Sequence, residues 1–198
     1  MSTKQQNFGQ IQLIYGPMFS GKTSELLRIV KRYSYAKKKC LVVNYIKDNR
    51  YTESTSICTH DKITLDNNNS YIQTQKCLKL QEIMEKYEMF DVIAIDEGQF
   101  FQDIDEKCDF FANNGKIVLV AALDATFQRK PFNNILNLVC ISESVTKLTA
   151  VCVSCGGNAS FTKRKIKCDQ IELIGSSEIY EPVCRTCFYN NEYDGNTQ

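Results

Sequence analysis

The sequence has no apolar stretch approaching the roughly 20 residues that a membrane-crossing helix requires, so no such helix is expected. It also has no excess of charge of one sign: 24 Lys and Arg stand against 23 Asp and Glu, a formal net charge of +1. That balance removes the electrostatic motive for a nucleic acid or an anionic membrane as partner. Histidine is nearly absent. The single one, His60, lies in the polar segment CTHD at residues 58–61, where it would be isolated as a base or metal ligand and is expected to hold a turn or hairpin position. The opening residues, MSTKQQNFGQ, contain no apolar core. No secretory signal is therefore expected, and the expected setting is soluble and cytoplasmic.

Hydrophobic residues make up 43% and charged residues 24% of 198, ordinary for one compact globular domain with a small appendage. Cysteine is plentiful, with ten residues. Without a secretory signal reduced thiols are expected, and paired cysteines then point to metal. Cys40, Cys77, Cys108 and Cys140 fall in apolar segments and read as ordinary core residues.

Along the chain, residues 10–15 (QIQLIY) read as a strand and residues 16–21 as a Gly-rich turn. Leu26, Leu27, Val30 and Tyr33 then recur at a helical period up to about Lys37. The run Lys37, Lys38, Lys39 reads as the solvated, dipole-complementing end of that helix. Residues 40–45 (CLVVNY) form a short buried strand. Residues 46–72 read as loops with one hairpin, and Leu78, Leu80, Ile83, Met84 and Tyr87 predict an amphipathic helix over 75–87. A strand follows at 91–95, a helix at 103–113 ended by Gly115, and a buried strand at 116–123.

This alternation predicts an α/β fold: a mainly parallel sheet flanked by helices, of the P-loop NTPase type, over residues 8–150. From Val151 the composition shifts to paired Cys, Gly, Ser and Lys, which predicts a small metal-binding subdomain over 151–189. Residues 190–198 (NNEYDGNTQ) are expected to be a disordered tail.

Three motifs carry chemistry. Gly16, Pro17, Met18, Phe19, Ser20, Gly21, Lys22 and Thr23 match G-x-x-x-x-G-K-[ST] between a predicted strand and a predicted helix. Backbone amides of such a loop cradle phosphate oxygens, assisted by the positive helix terminus. Lys22 is expected to reach the β- and γ-phosphates and the Thr23 hydroxyl to ligate Mg²⁺. The strand at 92–95 ends in Asp96 and Glu97. In phosphate-loop proteins a strand beside the first one ends in an Asp that holds Mg²⁺. Asp96 takes that role, leaving Glu97 near the γ-phosphate to accept a proton. This pair does not distinguish a kinase from an ATPase.

The third motif is the pairing of Cys152 with Cys155 and of Cys184 with Cys187, two Cys-x-x-Cys knuckles separated by 28 residues. Four thiolates around Zn²⁺ leave no open position, so the metal would be structural. Paired disulfides or a redox centre fit the compartment less well. Cys168, inside the loop, is not needed.

Several segments together resemble the type II, zinc-containing thymidine kinase family: GPMFSGKTSEL at 16–26, KDNRY at 47–51, CTHD, DEGQFF at 96–101, AALDATFQRKPF at 121–132, LTAVC at 148–152, TKR at 162–164 and YEPVCRTC at 180–187. They run in family order over nearly the whole chain. The resemblance implies ATP:thymidine 5′-phosphotransfer in pyrimidine deoxynucleotide salvage for DNA synthesis, with deoxyuridine as a further substrate. It places Asp48, Arg50, Asp96 and Gln99 with the ATP phosphates and makes Glu97 the general base.

It lines the nucleoside pocket with Met18, Phe100, Leu123, Phe127 and Phe132. It closes Ile171, Glu172, Leu173, Ile174, Gly175 and Tyr180 over the base as a lasso-like lid anchored by the zinc. Backbone groups of that lid would pair with thymine through one donor and one acceptor, and cytosine would leave buried groups unpaired. A homotetramer and feedback inhibition by dTTP are implied as well. The departures are small: Ala125 stands where Gly is usual, Gln102 where Pro is common, and Thr23-Ser24 reverses a frequent Ser-Thr. An ATPase acting without a nucleoside and a zinc-ribbon nucleic-acid module are the rival readings.

Overall fold

The computed structural model describes residues 9–46, 69–166 and 177–190. The expectations placed on Asp48, Arg50, His60, Cys168, Ile171, Glu172, Leu173, Ile174 and Gly175, and on residues 191–198, lie outside the described residues.

Six strands form one sheet: β1 (Gln10–Gly16), β2 (Cys40–Tyr45), β3 (Ile72–Cys77), β4 (Val92–Ile95), β5 (Ile117–Leu123) and β6 (Ser144–Lys147), in the order β3-β2-β4-β5-β1-β6. Every neighbouring pair is parallel. The side-chain alternation of each central strand divides its residues between two cores. On one face Val42, Ala94, Leu119 and Ile14 meet Leu26, Leu27 and Val30 of helix α1 (Lys22–Tyr35). On the other, Leu41, Val43, Ile93, Ile95, Val118 and Val120 meet α2 (Ile104–Asn113) and α3 (Asn133–Ile141) through Ile104, Phe111, Ile135 and Leu138. Because both faces are covered, these strands read as continuous apolar runs.

α2 ends as Gly115 predicts. Gly115 takes φ 78°, the amide of Lys116 donates to the Phe111 carbonyl and that of Gly115 to Ala112, a Schellman closure.

Two expectations are corrected. Residues 72–77 form edge strand β3, followed by single 3₁₀ turns at Leu80–Ile83 and Tyr87–Met89 instead of a helix over 75–87. Leu80 and Ile83 are three residues apart, a spacing that serves a 3₁₀ turn as well as an α-helix. The Asp103 carboxylate fixes the turn by accepting the amides of Leu80 and Gln81, at 3.2 and 3.0 Å. The strand that carries Asp96 is also not beside β1, since β5 stands between β4 and β1.

After β6 come two short antiparallel pairs, β7 (Ala150–Val151) with β8 (Asn158–Ala159) and β9 (Phe161–Arg164) with β10 (Tyr180–Val183), and then helix α4 (Arg185–Asn190). Their own apolar core comprises Ala150, Cys152, Ala159 and Val183, with Phe161 and Phe188 packed against it. So small a cluster cannot offset the entropy of ordering these segments, and a crosslink or metal is the usual remedy. No described helix is long and apolar enough to cross a membrane.

Candidate active site

In an open parallel sheet, ligands sit outside the carboxyl ends of the strands, and the predicted groups converge there. β1 ends at Gly16, where a Cβ would stand 2.4 Å from the Leu148 carbonyl oxygen. The chain then turns through Phe19 at φ 63° and Gly21 at φ 80°, and α1 begins at Lys22. Left-handed residues in such a turn make a concave nest of amides suited to an anion. Lys22 is nearly buried. Its Nζ donates to the Pro17 carbonyl at 2.6 Å, and the Ser20 hydroxyl donates to the same oxygen at 2.8 Å.

The acidic pair reaches this loop across the intervening strand. The Thr23 hydroxyl donates to Asp96 Oδ1 at 3.1 Å, and the same oxygen accepts the Glu97 amide at 3.1 Å. Asp96 is buried. Glu97 occupies the left-handed region at φ 54°, ψ 43°, a conformation that costs a non-glycine residue about 1–3 kcal/mol and tends to occur at functional sites. The chain leaves it in a 3₁₀ turn, Gly98–Phe100. Gln99, expected among the phosphate ligands, faces Glu97. Its Nε2 donates to Glu97 Oε2 at 2.5 Å, while its Oε1 accepts the Leu123 amide at 2.9 Å.

Of the expected pocket residues, Met18 is buried and Phe100 stacks on Tyr45, with centroids 5.2 Å apart and planes 26° apart. Phe132 packs against the main core. Phe127 and Tyr180 meet through Arg164. The guanidinium lies 3.7 Å from the centroid of the Phe127 ring and donates to the Tyr180 hydroxyl at 2.8 Å.

Two residues that received no role from sequence prove central. Thr162 Oγ1 accepts the Met18 amide at 3.0 Å, so β9 holds the phosphate loop. Arg164, two positions on and therefore on the same face of β9, holds Phe127 and Tyr180. Both lie in the TKR segment, and that segment was the only signal.

A second tie comes from the turn after β5. Arg129 lies over the rings of Phe188 and Tyr189 at 4.7 and 4.8 Å, and its Nη1 donates to the Tyr189 hydroxyl. It thereby docks the turn that carries Phe127 onto α4.

The sulfurs of Cys152, Cys155, Cys184 and Cys187 all lie within 4.8 Å of one another, and together they can hold a metal ion. The Sγ atoms of Cys155 and Cys184 are 3.7 Å apart, close to the edge of about 3.8 Å that a tetrahedron with Zn–S of about 2.3 Å would have. Of the other four described thiols, Cys140 is exposed on α3, not in the core as expected, whereas Cys40, Cys77 and Cys108 are buried. Burial pushes Cys40 and Cys77 up to about 12, aided by Asp91 beside the first and by Glu82 and Asp103 near the second. Burial also raises Cys108 well above the usual thiol range. All three are inert core residues at neutral pH.

Fold and site thus define an α/β protein of the phosphate-loop type, with a carboxylate pair at the loop and a four-cysteine cluster behind it. The family model for thymidine kinase matches residues 9–188, and the chain belongs to the thymidine kinase family. The thymidine kinase of vaccinia virus (strain Western Reserve) is 54% identical over 185 residues, covering 93% of this chain and 99% of that one. Thymidine kinase 1 of Dictyostelium discoideum is 47% identical over 192 residues, covering 96% and 82%. Among solved structures, the flagellar accessory protein FlaH of Methanocaldococcus jannaschii is similar in fold alone, with a TM-score of 0.51 and 13% identity over 89% of this chain and 88% of that one.

Proposed function

We propose that this chain transfers the γ-phosphoryl group of ATP to the 5′-hydroxyl of thymidine, and of deoxyuridine, giving dTMP and ADP. Its place is pyrimidine deoxynucleotide salvage for DNA synthesis in the cytoplasm. The observation that carries the reading is the clustering of Lys22, Thr23, Asp96 and Glu97 at one end of the sheet, with Thr23 and Asp96 in hydrogen-bond contact.

In this reading the loop from Gly16 to Thr23 cradles the donor phosphates. Lys22 exchanges the Pro17 carbonyl for phosphate oxygens, and Asp48 and Arg50 contribute on the donor side. Glu97 accepts the proton of the 5′-hydroxyl as its oxygen bonds to the γ-phosphorus. The bond from that phosphorus to the β-phosphate oxygen breaks, and ADP leaves with the electron pair. Thr23 and Asp96 offer the hard oxygen atoms that Mg²⁺ takes. When bound there, Mg²⁺ would supply charge neutralisation along the phosphates.

Met18, Phe100, Leu123, Phe127, Phe132 and Tyr180 would enclose the nucleoside, with the lid from Ile171 to Gly175 reading the base. We further assign Zn²⁺ to the four cysteines as a structural ion, residues 8–150 to the nucleotide-binding domain and 151–189 to the zinc-binding subdomain. A homotetramer inhibited by dTTP completes the reading.

A coupled ADP-release assay with thymidine, with deoxycytidine and with no nucleoside tests it. Turnover should require thymidine. Glu97→Gln should lower kcat by about 10²–10⁴-fold while ATP still binds, and near-normal turnover in that variant would remove Glu97 as the base.

A further inference from the structure

We propose that Gln99 is the positioning residue of the base, a tie between the Glu97 carboxylate and the end of β5, and not a ligand of the ATP phosphates. The inference rests on the reading of Glu97 as general base. Its ground is the direction of two hydrogen bonds. The Leu123 backbone N–H can only donate, so the atom 2.9 Å from it must be the amide oxygen of Gln99. That fixes the orientation of the amide without appeal to any ligand. The NH₂ end is then the atom at 2.5 Å from Glu97 Oε2, where it donates to the carboxylate.

The backbone supports the same arrangement. Glu97 is turned out of the strand direction by its left-handed φ and ψ. The next residue is pinned: a Cβ at Gly98 would meet Ile104 Cδ1 and Val120 Cγ1, each at 2.8 Å. The short turn therefore holds residues 97 and 99 in fixed relation, and the side chain of Gln99 closes the gap to β5. A carboxylate on a flexible side chain loses rate when its oxygens are misaimed by about 1 Å. A neutral amide fixes its direction without setting a positive charge beside it. Leu123, at the other end of the tie, is an expected wall of the nucleoside pocket, so base and substrate are referenced to one strand.

The test compares Gln99→Met, Glu97→Gln and the double variant by steady-state kinetics and by equilibrium binding of a non-hydrolysable ATP analogue. Gln99→Met should lower kcat by about 10–100-fold, leave analogue affinity within about twofold, and add nothing to the loss already present in Glu97→Gln. A weakened analogue affinity with kcat retained would make Gln99 a phosphate ligand after all, and additive losses in the double variant would place its action elsewhere.

Gln99→Glu guards against a folding defect, because it keeps an acceptor for the Leu123 amide. It should be poorly active at neutral pH and recover relative to wild type as the pH falls, since a proton shared by two carboxyls restores the donor. A flat ratio across pH overturns the proposal. If Glu97→Gln turns over normally, the base assignment itself fails. If Glu97→Gln is inactive but Gln99→Met is not, only the tie fails.

Discussion

At the scale of single residues, the phosphate loop shows how little room the site leaves. Gly16 is required because the Leu148 carbonyl, just beyond β6, passes 2.4 Å from where a side chain would begin. Backbone cannot move aside as a flexible side chain can. Gly16→Ala should therefore destabilise by about 1–3 kcal/mol, the range for overpacking a close contact. Thermal unfolding should fall by about 2–4 °C per kcal/mol in a domain of this size. The same displacement opens the loop, so ATP should protect the variant against heat less than it protects the wild type. Undiminished ATP protection would mean the loop adapts.

At the scale of elements, helix ends separate what was legible from what was not. Gly115 announced the end of α2. The end of α1 has the same closure, with the Lys38 amide donating to the Tyr33 carbonyl and that of Lys37 to Ser34, yet the left-handed position is filled by Lys37 at φ 59°. Nothing in a lysine signals that conformation, so the end of α1 was legible only approximately. Lys37 is exposed, and Lys37→Gly should relieve about 1 kcal/mol of backbone cost, less a few tenths for the lost charge at the helix end. Differential scanning calorimetry should show a melting temperature raised by roughly 2 °C, and a lowered one would mean the lysine side chain holds a contact of its own.

The buried strands were legible because both faces are apolar. β3 was not, because an edge strand with Gln73, Thr74, Gln75 and Lys76 shows little alternation, and β6 was not, because its residues are exposed. The loop, the acids and the cysteine pairs were legible as spacing. Thr162, Arg164 and the direction of Gln99 were not, since they depend on which strands the fold sets side by side.

At the scale of the whole molecule, the four-cysteine unit is more than a staple for its own loop. β9 lies within it, and β9 supplies both the acceptor for the Met18 amide and the guanidinium between Phe127 and Tyr180. α4, which begins directly after Cys184 and carries Cys187, receives Arg129. The loop from Gly16 to Thr23 and the turn that carries Phe127 therefore both lean on a unit whose apolar core is too small to persist alone. The consequence differs from that of a local crosslink. Withdrawing the Zn²⁺ proposed for these cysteines with a zinc-selective chelator in excess Mg²⁺, or making Cys184→Ser, should leave most of the far-ultraviolet circular dichroism of the six-stranded sheet. It should abolish thymidine binding and also weaken ATP binding, by about tenfold, roughly the value of one net hydrogen bond to a loop amide. Full ATP affinity in the metal-free protein would show that the phosphate loop stands without β9, and the contact between Thr162 and Met18 would then be incidental to nucleotide binding.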